Sequence, residues 1–162
     1  MKTSIITKFA GTYDNPDVYD KVLTYVSQKD YIGGYALEYP LIRDSVIRQY
    51  YKAEANSLYE VDHKIWHFSV SVSDVRSHRT LLLLADKIAA LFALHYQVYY
   101  ALELKPGLYH LHFAVNAFSY FPMTPPLTEP TFDYYLDTVK SILSEEFPKH
   151  IPQIIAKEDK NV

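Results

Sequence analysis

The stretch of residues 98–116, VYYALELKPGLYHLHFAVN, constrains the fold of this chain more than any other. Two runs rich in Tyr, Val, Leu and Phe flank Lys105-Pro106-Gly107-Leu108. Proline presets φ at the first central position of a turn and glycine accepts a positive φ at the second, so the pattern predicts a β-hairpin. Closure through a Lys105–Leu108 or a Leu104–Tyr109 pair sets Glu103 opposite His110. Side chains alternate faces along a strand, which puts Glu103, His110 and His112 on one face. Directly opposed Cβ atoms lie about 5 Å apart, so one carboxylate and two imidazoles come within reach of one divalent ion.

The rest of the chain supplies elements to build on that hairpin. Residues 4–9 (SIITKF) predict a first strand. Asn15-Pro16 is a helix start, with a capping side chain and a proline at the first helical position, and the helix is expected over about 16–28. Residues 32–35 break it and have room for a short extended piece. Residues 40–55 predict a second helix. Residues 61–73 (VDHKIWHFSVSVS) predict a strand with Phe68, Val70 and Val72 on one face and His67, Ser69 and Ser71 on the other. The longest apolar helix follows, to about residue 94. After the hairpin comes a proline-rich rim loop, then a last helix over about 131–147 with helical apolar spacing. The fold class expected is α+β: an antiparallel-centred sheet with helices packed mainly on one face, in two layers. Residues 1–150 are read as one domain and 151–162 as a polar, frayed C-terminal tail.

Composition narrows the function classes. With 162 residues and 49% hydrophobic content the chain is globular and long enough to bury a core. It has no cysteine, which removes disulfides and thiolate metal sites and fits a cytoplasmic location. No run approaches the ~20 apolar residues of a membrane span. The net charge of −3 argues against a uniformly basic nucleic-acid binder and leaves room for a local basic groove. Arg43, Arg48 and Lys52 lie on one helix stripe, and together with Lys29 they are either phosphate contacts or a solvated face. His67, one strand away from the hairpin, is read either as facing the same site, where it orients a ligand or touches DNA, or as a hydrogen-bonded strand histidine. His63, His78, His95 and His150 read as surface residues. The ligand set of two histidines and one carboxylate suits Mn²⁺ or Mg²⁺, and it is equally that of non-haem Fe(II) oxygenases.

Four segments, taken in order, are similar to those of the relaxase (mobilisation nuclease) family. These HUH endonucleases nick plasmid or transposon DNA for conjugative transfer. VLTYVSQKD resembles the family's tyrosine-bearing helix, WHFSVSVSD its histidine-containing strand, LADKIAALFALHYQVYYALE its helix and following strand, and YHLHFAVNAFSY its His-x-His strand ending in Val-Asn. The resemblance covers about residues 16–120. It implies Tyr25 as nucleophile, with Tyr13, Tyr19 and Tyr31 as neighbouring alternatives among sixteen tyrosines. His110 and His112 fall at two metal-ligand positions, and Glu103 stands where the family usually has a third histidine. Lys29 and Asn116 match recurrent positions. The family's Gly-Lys turn after the last strand is replaced here by SYFPMTPPLTEP.

The resemblance implies a metal-assisted enzyme acting on single-stranded DNA at an origin of transfer, together with accessory and coupling proteins. The tyrosine attacks a phosphodiester, giving a 5′-phosphotyrosyl link and a free 3′-OH. A non-catalytic DNA-binding or accessory protein on the same fold, with a decayed metal site, is the first alternative. A 2-His-1-carboxylate Fe(II) enzyme with a deep closed pocket is the second.

Overall fold

The hairpin is the centre of the sheet. A computed structural model describes residues 2–11, 13–75 and 77–159. Its elements in chain order are β1 (Thr3–Ala10), α1 (Val18–Ser27), β2 (Tyr31–Tyr35), α2 (Arg43–Asn56), β3 (Ile65–Ser73), α3 (His78–Phe92), β4 (Tyr96–Lys105), β5 (Leu108–Ser119), α4 (Glu129–Glu146) and β6 (Ile151–Glu158). β4 and β5 pair with Lys105 against Leu108 and Glu103 against His110, the register expected from the Pro-Gly turn. Gly107 takes φ +74°, in the left-handed region that glycine enters without a Cβ penalty. The strand order is β2-β4-β5-β3-β1-β6. Every pairing is antiparallel except β1 with β6. The fold class is α+β, with four helices among the described residues packed against this sheet.

Period-2 alternation divides the sheet into two unlike faces. Phe68, Val70 and Val72 of β3 and Leu111, Phe113 and Val115 of β5 point to one side, where α3 and α4 cover them in the larger core. Phe68 and Phe113 stack there at 4.7 Å between centroids. Each such side chain, fully buried, contributes about 1.5–3 kcal/mol. The expected concentration of helices on one face holds for this core, but α1 and α2 also pack on the other face. Val18, Val22, Leu23 and Val26 of α1 and Val46 and Tyr50 of α2 meet Ile65, Tyr99, Ala101 and Ala114. These two helices cover only part of that face, and the remainder is open.

Residues 151–158 correct the expectation of a frayed tail. They form an edge strand running parallel to β1, from Thr3 opposite Ile151 to Ala10 opposite Glu158. Asp159 continues the pairing by donating its backbone N–H to the Ala10 carbonyl. A strand exposed along most of its length carries no alternating apolar signature, and a proline at its second position is tolerated at an edge.

Candidate functional site

The open part of the sheet face holds the histidines. β3 sets Ser71 opposite His110, Ser69 opposite His112 and His67 opposite Ala114, while β4 sets Ala101 opposite His112. Small side chains beside His112 leave a cavity of about 410 Å³, lined among others by Thr7, Tyr25, Glu103, His110 and His112. Tyr25, from α1, reaches over this face. Its ring stands edge-on to His112 at 5.3 Å and to His67 at 5.8 Å between centroids. Phe9 stacks on His67 at 4.4 Å.

Lys29 arrives in the turn that follows α1. The turn stays wound, with the Lys29 N–H donating to the Val26 carbonyl. Asp30 pins it to β4: its N–H donates to the Leu102 carbonyl and its carboxylate accepts from the Leu104 N–H. Lys29 Nζ therefore lies 2.8 Å from Glu103 Oε2 and 4.0 Å from the centre of the Tyr25 ring. The other carboxylate oxygen, Oε1, lies 3.3 Å from His112 Nε2 and 3.5 Å from Lys105 Nζ. His110 Nδ1 is hydrogen-bonded to Ser71 Oγ at 2.8 Å.

These contacts fix the charge states. Burial alone would raise the Glu103 carboxyl, but its hydrogen bonds from Lys29 and His112 bring it down to about 2. Burial would also lower the Lys29 ammonium, and the bond to Glu103 with the nearby Tyr25 phenol holds it above the ordinary lysine value instead. Burial, and then the neighbouring His67, push His112 down to about 4 against the pull of Glu103. Burial lowers His110 as well, with Lys105 adding to the effect. Near neutral pH the site thus holds an ionised carboxylate, an ammonium and two neutral imidazoles.

A residue of the presumed tail completes the site. Asp159, buried after β6, accepts a hydrogen bond from the Tyr13 hydroxyl at 3.0 Å, and the same oxygen lies 3.3 Å from His67 Nδ1. Nothing in the local sequence marks Asp159, because only the β1–β6 pairing carries it there. His67 is oriented by this contact, with its Nε2 buried and without a hydrogen-bond partner among the described residues.

Tyr25, Lys29, His67, Glu103, His110 and His112 thus come together. Asn116 does not join them. It is fully buried and donates to Gln97 Oε1 and the Tyr50 carbonyl, so it ties α2 to the sheet and cannot reach DNA. Arg43 and Arg48 are exposed on α2 outside the cavity, Arg43 against Asp44. Two histidines read as surface residues are not. His63 stacks on Trp66 at 3.6 Å, and His150 is buried against Ser4 Oγ. The fallback tyrosines separate by burial. Tyr13 and Tyr19 are buried, and burial pushes their hydroxyls far above the usual tyrosine value. Tyr31 is 44% exposed and lies against His78.

The donor set expected for Mn²⁺ or Mg²⁺ does not fit an ion as it stands. Glu103 has both oxygens engaged by the chain's own cations and by His112. Among the described residues, no three His, Cys, Asp or Glu side chains are placed to hold an ion together. Comparisons of the chain with family models, with curated proteins and with solved structures return no match.

Proposed function

We propose that this chain acts as a relaxase-type strand transferase on single-stranded DNA, with Tyr25 as nucleophile. One observation carries the proposal. Tyr25, unlike the buried Tyr13 and Tyr19, lines an open cavity, and it does so beside two buried histidines and an ammonium. Free phenol is a weak nucleophile at neutral pH, and a fixed positive charge favours the developing phenolate. Lys29 supplies that charge at the Tyr25 ring. In the step itself, the Tyr25 oxygen bonds to phosphorus as the P–O3′ bond breaks. The phenolic proton is lost to a base and the 3′-oxygen takes one up. A ring nitrogen is the acceptor this step needs, and His67, held at Nδ1 by Asp159, has an Nε2 with no hydrogen-bond partner among the described residues. The covalent link conserves the energy of the broken ester for rejoining.

Incubation with a pool of random-sequence single-stranded oligonucleotides, followed by mass mapping of DNA-linked peptides, tests the assignment. A phosphotyrosyl peptide containing Tyr25 is expected, and Tyr25→Phe should abolish it while Tyr31→Phe does not. Equal adduct formation by Tyr25→Phe would sink the assignment.

The engagement of Glu103 favours a second reading, a DNA-binding accessory protein on the same fold that has lost catalysis. It predicts single-strand binding with no adduct at all. The Fe(II) reading gains nothing from this geometry, since its carboxylate ligand is held by Lys29 and Lys105.

A further inference from the structure

Glu103 is where the site departs from its expected chemistry. A carboxylate in a set with two histidines would be a hard ligand for a dication. Here its Oε2 is bonded to Lys29 Nζ at 2.8 Å, with both side chains largely sheltered, at 13% and 17% exposure. Lys29 is held there by backbone bonds on either side, through Val26 and through the Asp30–β4 contacts, so it is not a loose surface lysine. Lys105 approaches the other oxygen at 3.5 Å and lines the cavity. The formal charges match. One carboxylate with two ammoniums leaves a single positive charge, as would a dication on the same carboxylate and two neutral imidazoles.

We propose that the Lys29 ammonium, clamped between Glu103 and Tyr25, is the resident cation of this site and replaces a divalent metal ion in receiving the phosphodiester. The inference rests on the strand-transferase reading for its substrate, single-stranded DNA. Glu103 then acts as a positioning residue that holds Lys29 in place. Lys105 adds a second charge at the mouth of the cavity. Phosphate oxygens meet Lys29 and Lys105, and Tyr25 is already in contact with the cation that its developing charge needs.

Two titrations test this on the full chain, and neither needs catalysis. In calorimetry with Mn²⁺ alone, the wild type should show no binding up to about 1 mM, and Lys29→Met should gain binding because it releases Glu103. In fluorescence titration with an oligothymidylate, Lys29→Met should weaken binding about tenfold at low salt. The same variant should reduce the slope of log K against log salt by about the share of one contact, while Lys29→Arg keeps it. If Lys29→Met fails to fold, Glu103→Gln decides. Wild type and Glu103→Gln should each bind the oligonucleotide equally with Mn²⁺ and with a chelator, whereas a metal site would give the wild type a Mn²⁺-dependent affinity that the variant loses. Mn²⁺ binding by the wild type that Glu103→Gln removes would overturn the proposal, as would an unchanged salt slope in Lys29→Met. Failure to find any Tyr25 adduct would instead count against the transferase reading and leave these two titrations to judge Lys29.

Discussion

At the scale of single residues, burial decides what each histidine does. His63 and His112 are both pushed down to about 4 by burial, from an ordinary value of 6.5. A folded value below the unfolded one means the unfolded chain binds more protons between the two. Their contribution to stability is therefore complete above about 6.5 and is lost as pH falls through 6.5 toward 4. Glu103, depressed to about 2, adds a separate loss below about 4.3, the ordinary glutamate value. The melting temperature should fall from pH 7 to pH 5. His63→Phe, which keeps an aromatic ring on Trp66 and removes the titrating group, should show a smaller fall. An equal fall in the variant would place the sensitivity elsewhere. None of this was legible in the sequence. Only tertiary packing half-buries His63 on Trp66 and buries His150 against Ser4. Asn116, likewise, matches a motif position but is spent on holding Tyr50 and Gln97.

At the scale of elements, β6 carries more than an edge. It pairs with all eight residues of β1 and ends in Asp159, which fixes His67 and Tyr13. A chain ending at His150 should lose this edge and the Asp159 contacts together. Its thermal unfolding, followed by circular dichroism, should shift down by several degrees or lose cooperativity, given that about 1 kcal/mol moves the midpoint of a domain this size by roughly 2–4 °C. Unfolding at the wild-type temperature would show that β6 lies outside the cooperative fold. The hairpin and β3 were legible because their signals are local: a Pro-Gly turn, strict alternation, and a register that follows from turn length. β6 was not, because an exposed edge strand has no apolar face to alternate. The placement of Lys29 on Glu103 depends on Asp30 bonding to β4, a contact between residues 74 apart with no counterpart in sequence periodicity.

At the scale of the whole molecule, a net charge of −3 leaves little long-range attraction for DNA. No helix among the described residues is long and apolar enough to cross a membrane. On the proposed strand-transferase reading, binding to single strands comes from the few lysines at or beside the cavity, Lys29, Lys105 and Lys157. With two or three phosphates neutralised, log K should fall against log salt with a slope of about −2, measured by fluorescence titration with an oligothymidylate. A much steeper slope would mean a wider basic surface, such as the Arg43–Arg48 stripe, is in contact. Whether Tyr25 takes a phosphate decides between a strand transferase and a mere DNA-binding protein. Mass mapping of the protein after incubation with random-sequence single-stranded oligonucleotides measures this directly. A nucleotide adduct on Tyr25, absent in Tyr25→Phe, is the predicted result. An adduct on another tyrosine, or one that persists in Tyr25→Phe, would contradict it.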